Sequence, residues 1–96
     1  MIRHIVCFRL KEPTDENCRA AQQMLLSMRE RIPLLQSLHV GINVCKSARA
    51  YDLVLEAELQ NPEALEAYDR DAYHCEVVKA YMHDRVDGCV SVDYEF

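Results

Sequence analysis

Ile2, His4, Val6, Phe8 and Leu10 alternate with Arg3, Ile5, Cys7 and Arg9 at the start of the chain. That period of two predicts a strand with one apolar face that carries a histidine. Glu12-Pro13-Thr14-Asp15 ends it, and Thr14 is placed to cap a helix whose first turn holds Asp15 and Glu16. The apolar spacing then changes to three and four through Cys18, Ala21, Leu25, Met28 and Ile32. This helix should bury that stripe, turn Arg19, Gln22, Gln23 and Arg29 outward, and stop at Pro33. Alternation returns in Leu38, Val40, Ile42 and Val44 and, after a polar connection at Lys46 to Ala50, in Tyr51, Leu53, Leu55, Ala57 and Leu59. Asn61-Pro62 marks a second helix, a cap followed by proline at the first helical position. Its spacing runs through Leu65 and Tyr68, breaks near Asp71-Ala72, and resumes with His74, Val78 and Tyr81. Asp87-Gly88 is expected to turn the chain into a last strand, with Val90, Val92, Tyr94 and Phe96 opposite Cys89, Ser91, Asp93 and Glu95.

The order β-α-β-β-α-β places the chain in the α+β class, as one ferredoxin-like domain over residues 1–96: a four-stranded antiparallel sheet, order 4-1-3-2, with both helices on one face. Strand one is then central. On the helix-free side Arg3 and Arg9 are expected to meet Glu56, Glu58, Asp93 and Glu95, among Ile5, Cys7, Cys45, Val54 and Cys89. Charge agrees with that pairing, since residues 1–51 hold eight Lys/Arg against four Asp/Glu, and residues 52–96 hold three against twelve. A face so mixed is too apolar to be simply wet, so a partner sheet should cover it and the chain should form a homodimer.

Composition narrows the function classes. A net charge of −5 argues against nucleic acid and anionic membrane surfaces as partners. No apolar run approaches the ~18 residues of a membrane span, and the first residues do not form a secretory leader, so a cytoplasmic location is expected. Five cysteines without CxxC or CxxH spacing suggest neither a disulfide framework nor a zinc knuckle. They read as reduced, small, mostly buried residues, Cys75 beside His74 being the one sequence-local candidate for a reactive thiol.

The combination of His4-Ile5-Val6-Cys7-Phe8, Tyr51-Asp52-Leu53-Val54-Leu55, Leu65 to Tyr68 followed six residues later by His74, and the closing Val92-Asp93-Tyr94 resembles the stress-responsive dimeric α/β-barrel family. The resemblance covers nearly the whole chain. It implies two ferredoxin-like protomers packed sheet to sheet, with a small pocket between sheet and helices in each. In the plant polyketide cyclase branch of that family a histidine and a tyrosine close a ring by aldol-type chemistry. His74 and Tyr68 correspond to that pair, and His4 to a strand-one histidine lining the same pocket. Leu25 and Leu53 stand where the cyclase branch carries further polar pocket residues.

Elementary chemistry gives the same residues a role without the family. A near-neutral imidazole can remove a proton α to a carbonyl, and a phenol can hydrogen-bond the resulting enolate oxygen. The plainer alternative makes His4 and His74 buried, satisfied core histidines and Tyr68 a core aromatic with its hydroxyl at the rim. No third ligand at diagnostic spacing turns His4 and His74 into a metal site. Two functions follow: a cofactor-independent cyclase, lyase or isomerase acting on a small carbonyl compound, with His74 as base, Tyr68 orienting and His4 positioning, or a non-catalytic stress-associated dimer that binds a metabolite passively. A cavity touching both histidines favours the first, a packed interior the second. His39 and His83 are expected to be exposed and incidental.

Overall fold

The alternating segments pair into one antiparallel sheet, and a computed structural model describes this for residues 1–96. Strands β1 (Ile2–Leu10), β2 (Ser37–Ile42), β3 (Leu53–Leu59) and β4 (Val86–Glu95) lie in the order β2-β3-β1-β4. Helix α1 (Asp15–Leu26) connects β1 to β2 and continues as a short 3-10 turn, Ser27–Glu30. Helix α2 (Pro62–Asp69), a π-helical stretch (His74–Lys79) and helix α3 (Ala80–His83) connect β3 to β4. This is the ferredoxin-like arrangement.

Both helix starts follow from their caps. Thr14 Oγ1 accepts the Asn17 amide at 3.1 Å, and Asn61 Oδ1 accepts the Ala64 amide at 2.8 Å. The stripe Cys18, Ala21, Leu25, Met28 and Ile32 is wholly buried, as its spacing predicts, and it packs on Val6, Leu53, Leu55, Ala57 and Leu59 of the sheet. Two polar side chains of this helical arm reach the rim of the sheet: Gln22 Nε2 donates to the Val40 carbonyl at 2.9 Å, and Arg29 Nε to that of Leu38 at 2.9 Å.

The last strand departs from the sequence reading. The turn falls at residues 84–85, and Val86 already pairs with Leu10. Gly88 pairs with Arg9, so Asp87 is an extra residue, and this bulge reverses the phase of everything after it. Cys89, Ser91 and Asp93 therefore stand opposite Phe8, Val6 and His4 on the helix side, while Val90, Val92 and Tyr94 stand opposite Cys7, Ile5 and Arg3 on the other. The helix-free face is accordingly more apolar than expected, with Val92 62% and Phe96 54% exposed.

Its charges are also rearranged. Arg3, not Arg9, is the paired cation: its guanidinium lies 3.1 Å from Glu58 Oε2, donates to the Tyr94 hydroxyl at 3.0 Å, and sits 4.1 Å from the Phe96 ring centroid. Arg9 instead covers the Tyr51 ring at 4.4 Å. Strand β2 ends before Val44, which is 97% exposed in a turn where Asn43 bonds the backbone of Cys45. Strand β3 begins after Tyr51. Cysteine burial is corrected as well: Cys18 is buried and Cys7 half-buried, but Cys45, Cys75 and Cys89 are exposed, because they fall in that turn, on the outer side of the π-helical stretch and on β4.

Candidate active site

The break expected at Asp71-Ala72 builds the site. α2 ends at Asp69, and the next helical segment starts from Asp71, whose Oδ1 accepts the His74 amide at 3.2 Å. Interrupting the helix leaves the Tyr68 carbonyl accessible to a side chain, and His74 donates Nδ1–H to it at 3.1 Å. A carbonyl only accepts, so the proton is on Nδ1 and the neutral ring keeps its lone pair on Nε2. The same turn stacks His74 on Tyr68, with centroids 4.3 Å apart and planes 20° from parallel. The site thus sits at a π-helical insertion, a common way of re-aiming a functional side chain.

His4 reaches the same place from the sheet. Its ring meets the Tyr68 ring edge-on at 5.7 Å, and its Nδ1 donates to Asp93 Oδ1, a contact made possible by the reversed phase of β4. All three sequence-predicted residues, His4, Tyr68 and His74, line one cavity of about 250 Å³ between the sheet and the helical segments. Leu25 forms part of its wall, whereas Leu53 is buried elsewhere in the core. The cavity wall also includes Asp69, Lys79 and Cys89, which sequence spacing did not single out. Position 79 carries a signal only once the π-helical stretch is known. A shallower depression of about 380 Å³ lies on the other side of His4, between α2 and Ser91 and Asp93 of β4.

Burial sets the electrostatics. Desolvation pushes the His74 pKa below that of a free imidazole, and the bond to the Tyr68 carbonyl only partly opposes this. The Tyr68 phenol is pushed well above its ordinary value, mainly by desolvation. Its hydroxyl does not reach the rim: Tyr68 is 2% exposed, and its partner is the Met28 thioether at 3.8 Å. That is a weak acceptor, so a buried donor is left nearly free. Asp69 is held below the usual carboxylate range by Lys79, whose Nζ donates to Asp69 Oδ1 at 2.9 Å. No three His, Cys, Asp or Glu side chains gather into a metal-binding group.

A further depression of about 340 Å³ lies at the opposite end, between α1 and α3. It contains no histidine, and its Arg85 is engaged with Tyr81, lying 3.8 Å from the ring and donating to the Tyr81 carbonyl at 2.9 Å. The chemistry therefore concentrates at the His4, Tyr68 and His74 cavity.

Comparison with known proteins agrees with this architecture. The profile of the family described as Stress Responsive A/B Barrel Domain matches residues 2–96. Among solved structures, the chain is similar to At3g17210 from Arabidopsis thaliana, at 17% identity and TM-score 0.87 over 100% of this chain and 95% of that one. It is similar to a dimeric ferredoxin-like protein of unknown function from Thermobifida fusca, at 24% identity and TM-score 0.83 over 99% and 90%. The hydroxynitrile lyase of Passiflora edulis is similar too, at 13% identity and TM-score 0.82 over 97% and 90%. No curated protein matches the sequence.

Proposed function

The chain belongs to the stress responsive A/B barrel domain family, and from that premise we propose that it acts, as a homodimer, on a small and partly apolar carbonyl compound by cofactor-independent proton transfer. His74 Nε2 is the base, the Tyr68 hydroxyl exchanges Met28 for the carbonyl oxygen, and His4, held by Asp93, positions the substrate. The observation that carries this reading is the His74–Tyr68 stack, in which one contact at 3.1 Å fixes the tautomer of the base beside a buried, weakly partnered phenol. Aldol closure, isomerisation and lyase chemistry all share that first step, removal of a proton by a base with the developing charge held by a donor. A similar fold serving as a hydroxynitrile lyase supports a reaction of this kind.

Dimerisation is supported by the apolar helix-free face, where Val90, Val92, Tyr94 and Phe96 are exposed beside half-buried Ile5 and Val54, and by the dimeric state of the Thermobifida fusca protein. The chain's location is taken as cytoplasmic; no helix is long and apolar enough to cross a membrane. The apolar wall at Leu25 favours a second reading, passive binding of the same class of ligand without turnover.

A thermal-shift screen of small ketones and aldehydes, run on wild type and His74→Ala, tests the proposal, because a bound ligand raises stability with its concentration over Kd. Hits should bind both proteins and be converted only by wild type. Conversion by His74→Ala at the wild-type rate would remove His74 as the base, and binding without conversion by either would establish the passive reading.

A further inference from the structure

Proton abstraction in this cavity creates two charges where there were none, an imidazolium on His74 and an enolate on the substrate. An apolar wall stabilises neither. Among the residues lining the cavity, Lys79 is the one permanent cation, and it sits in the wall together with Asp69 and His74. Lys79 Nζ is bonded to Asp69 Oδ1 at 2.9 Å and to the Asp69 carbonyl at 3.4 Å. The pair is partly solvated, with side chains 48% and 65% exposed, and a pair of that kind is weak enough to open for a better partner. Nothing in the three-residue mechanism uses it.

We infer that Lys79 and Asp69 exchange partners in the reaction, Lys79 moving from the Asp69 carboxylate to the substrate oxyanion while Asp69 becomes the counter-ion of the His74 imidazolium. The balance is complete: the substrate C–H bond breaks, its proton goes to His74 Nε2, and its electron pair passes to the carbonyl oxygen. One resident ion pair becomes two, so the cavity never holds an uncompensated charge. Lys79 is a catalytic residue in this scheme, and Asp69 a positioning residue that acts through His74. The charges already act on the imidazole in the required senses, Lys79 disfavouring its protonated form and Asp69 favouring it. The ligand class is thereby narrowed to compounds whose enol or phenol oxygen is held as an oxyanion. A cavity of about 250 Å³ admits one such ring with a short substituent, since ~150 Å³ suffices for benzene. This inference rests on the proton-transfer reading above.

Two probes separate the inference from that reading: 4-nitrophenol, whose phenolate is coloured, and 4-nitroanisole, its neutral isostere. Wild type is expected to bind both and to enrich the bound phenolate over its fraction in solution. Lys79→Met should weaken phenolate binding by about tenfold and leave 4-nitroanisole unchanged, with Lys79→Arg restoring most of the loss. Asp69→Asn should tighten phenolate binding by releasing Lys79. Histidine NMR supplies a second readout, the charge coupling of the pair to the base: the His74 pKa should rise in Lys79→Met and fall in Asp69→Asn. Phenolate binding indifferent to Lys79, weaker phenolate binding in Asp69→Asn, or a His74 pKa unmoved in both variants would overturn the exchange and leave the proton-transfer reading standing. Failure of wild type to bind 4-nitroanisole at all would overturn the cavity as a ligand site, and both proposals with it.

Discussion

At the scale of single residues, His74 and Tyr68 couple the site to measurable stability. Burial makes a protonated His74 costlier in the folded protein than in the unfolded chain, where a pKa of about 6.5 applies. The folded state then binds fewer protons between its depressed pKa and that value, so stability rises with pH across the window. His74's contribution is whole above about pH 6.5 and is lost as pH falls through the folded-state pKa. Urea melts between pH 5 and 7.5 should therefore show a steeper acid loss for wild type than for His74→Gln. Tyr68 tests the opposite decoupling. Its hydroxyl holds only a thioether at 3.8 Å, so Tyr68→Phe should stay within about 1 kcal/mol of wild type in the same melts. It should nevertheless lose turnover of any substrate found by the thermal-shift screen.

At the scale of elements, the caps decide where the site residues stand. Asn61 starts α2 and so fixes the position of Tyr68 seven residues on; Asn61→Ala is expected to cost about 1 kcal/mol in a chemical denaturation curve. Such local signals were legible in the sequence because their causes are local. Thr14, Asn61-Pro62 and the stripe from Cys18 to Ile32 needed only spacing and side-chain chemistry, whereas the meeting of His4, Tyr68 and His74 in one pocket was implied by the family resemblance. The phase of β4 was not legible. Val90, Val92, Tyr94 and Phe96 alternate as a strand with an apolar face, but alternation does not say whether helices or another subunit cover that face, and one extra residue at Asp87 changes the answer. Lys79 escaped for a similar reason: a regular helical count from His74 does not describe a π-helical stretch. Arg9 was misassigned because Arg3 and Arg9 are equivalent by alternation, and only the neighbouring strands distinguish Glu58 from Tyr51 as partner.

At the scale of the whole molecule, the helix-free face should determine assembly. Val92 lies near the middle of β4's apolar row and is 62% exposed in the protomer, so Val92→Asp can be tolerated by the isolated fold while placing a charge in the proposed contact. Sedimentation velocity should show wild type at twice the protomer mass at micromolar concentration and Val92→Asp at the protomer mass, with unchanged circular dichroism. The contacts of Gln22 and Arg29 with the carbonyls of β2 have a separate effect, on how many molecules can join. They occupy the acceptors that an incoming strand would need, so β2 is a blunted border and only β4 remains competent for edge-to-edge pairing. Each protomer therefore has an edge valence of one where an unguarded sheet would have two. Gln22→Ala/Arg29→Ala should raise that valence to two, and on mild heating the double variant should form thioflavin-positive aggregates under conditions that leave wild type clear.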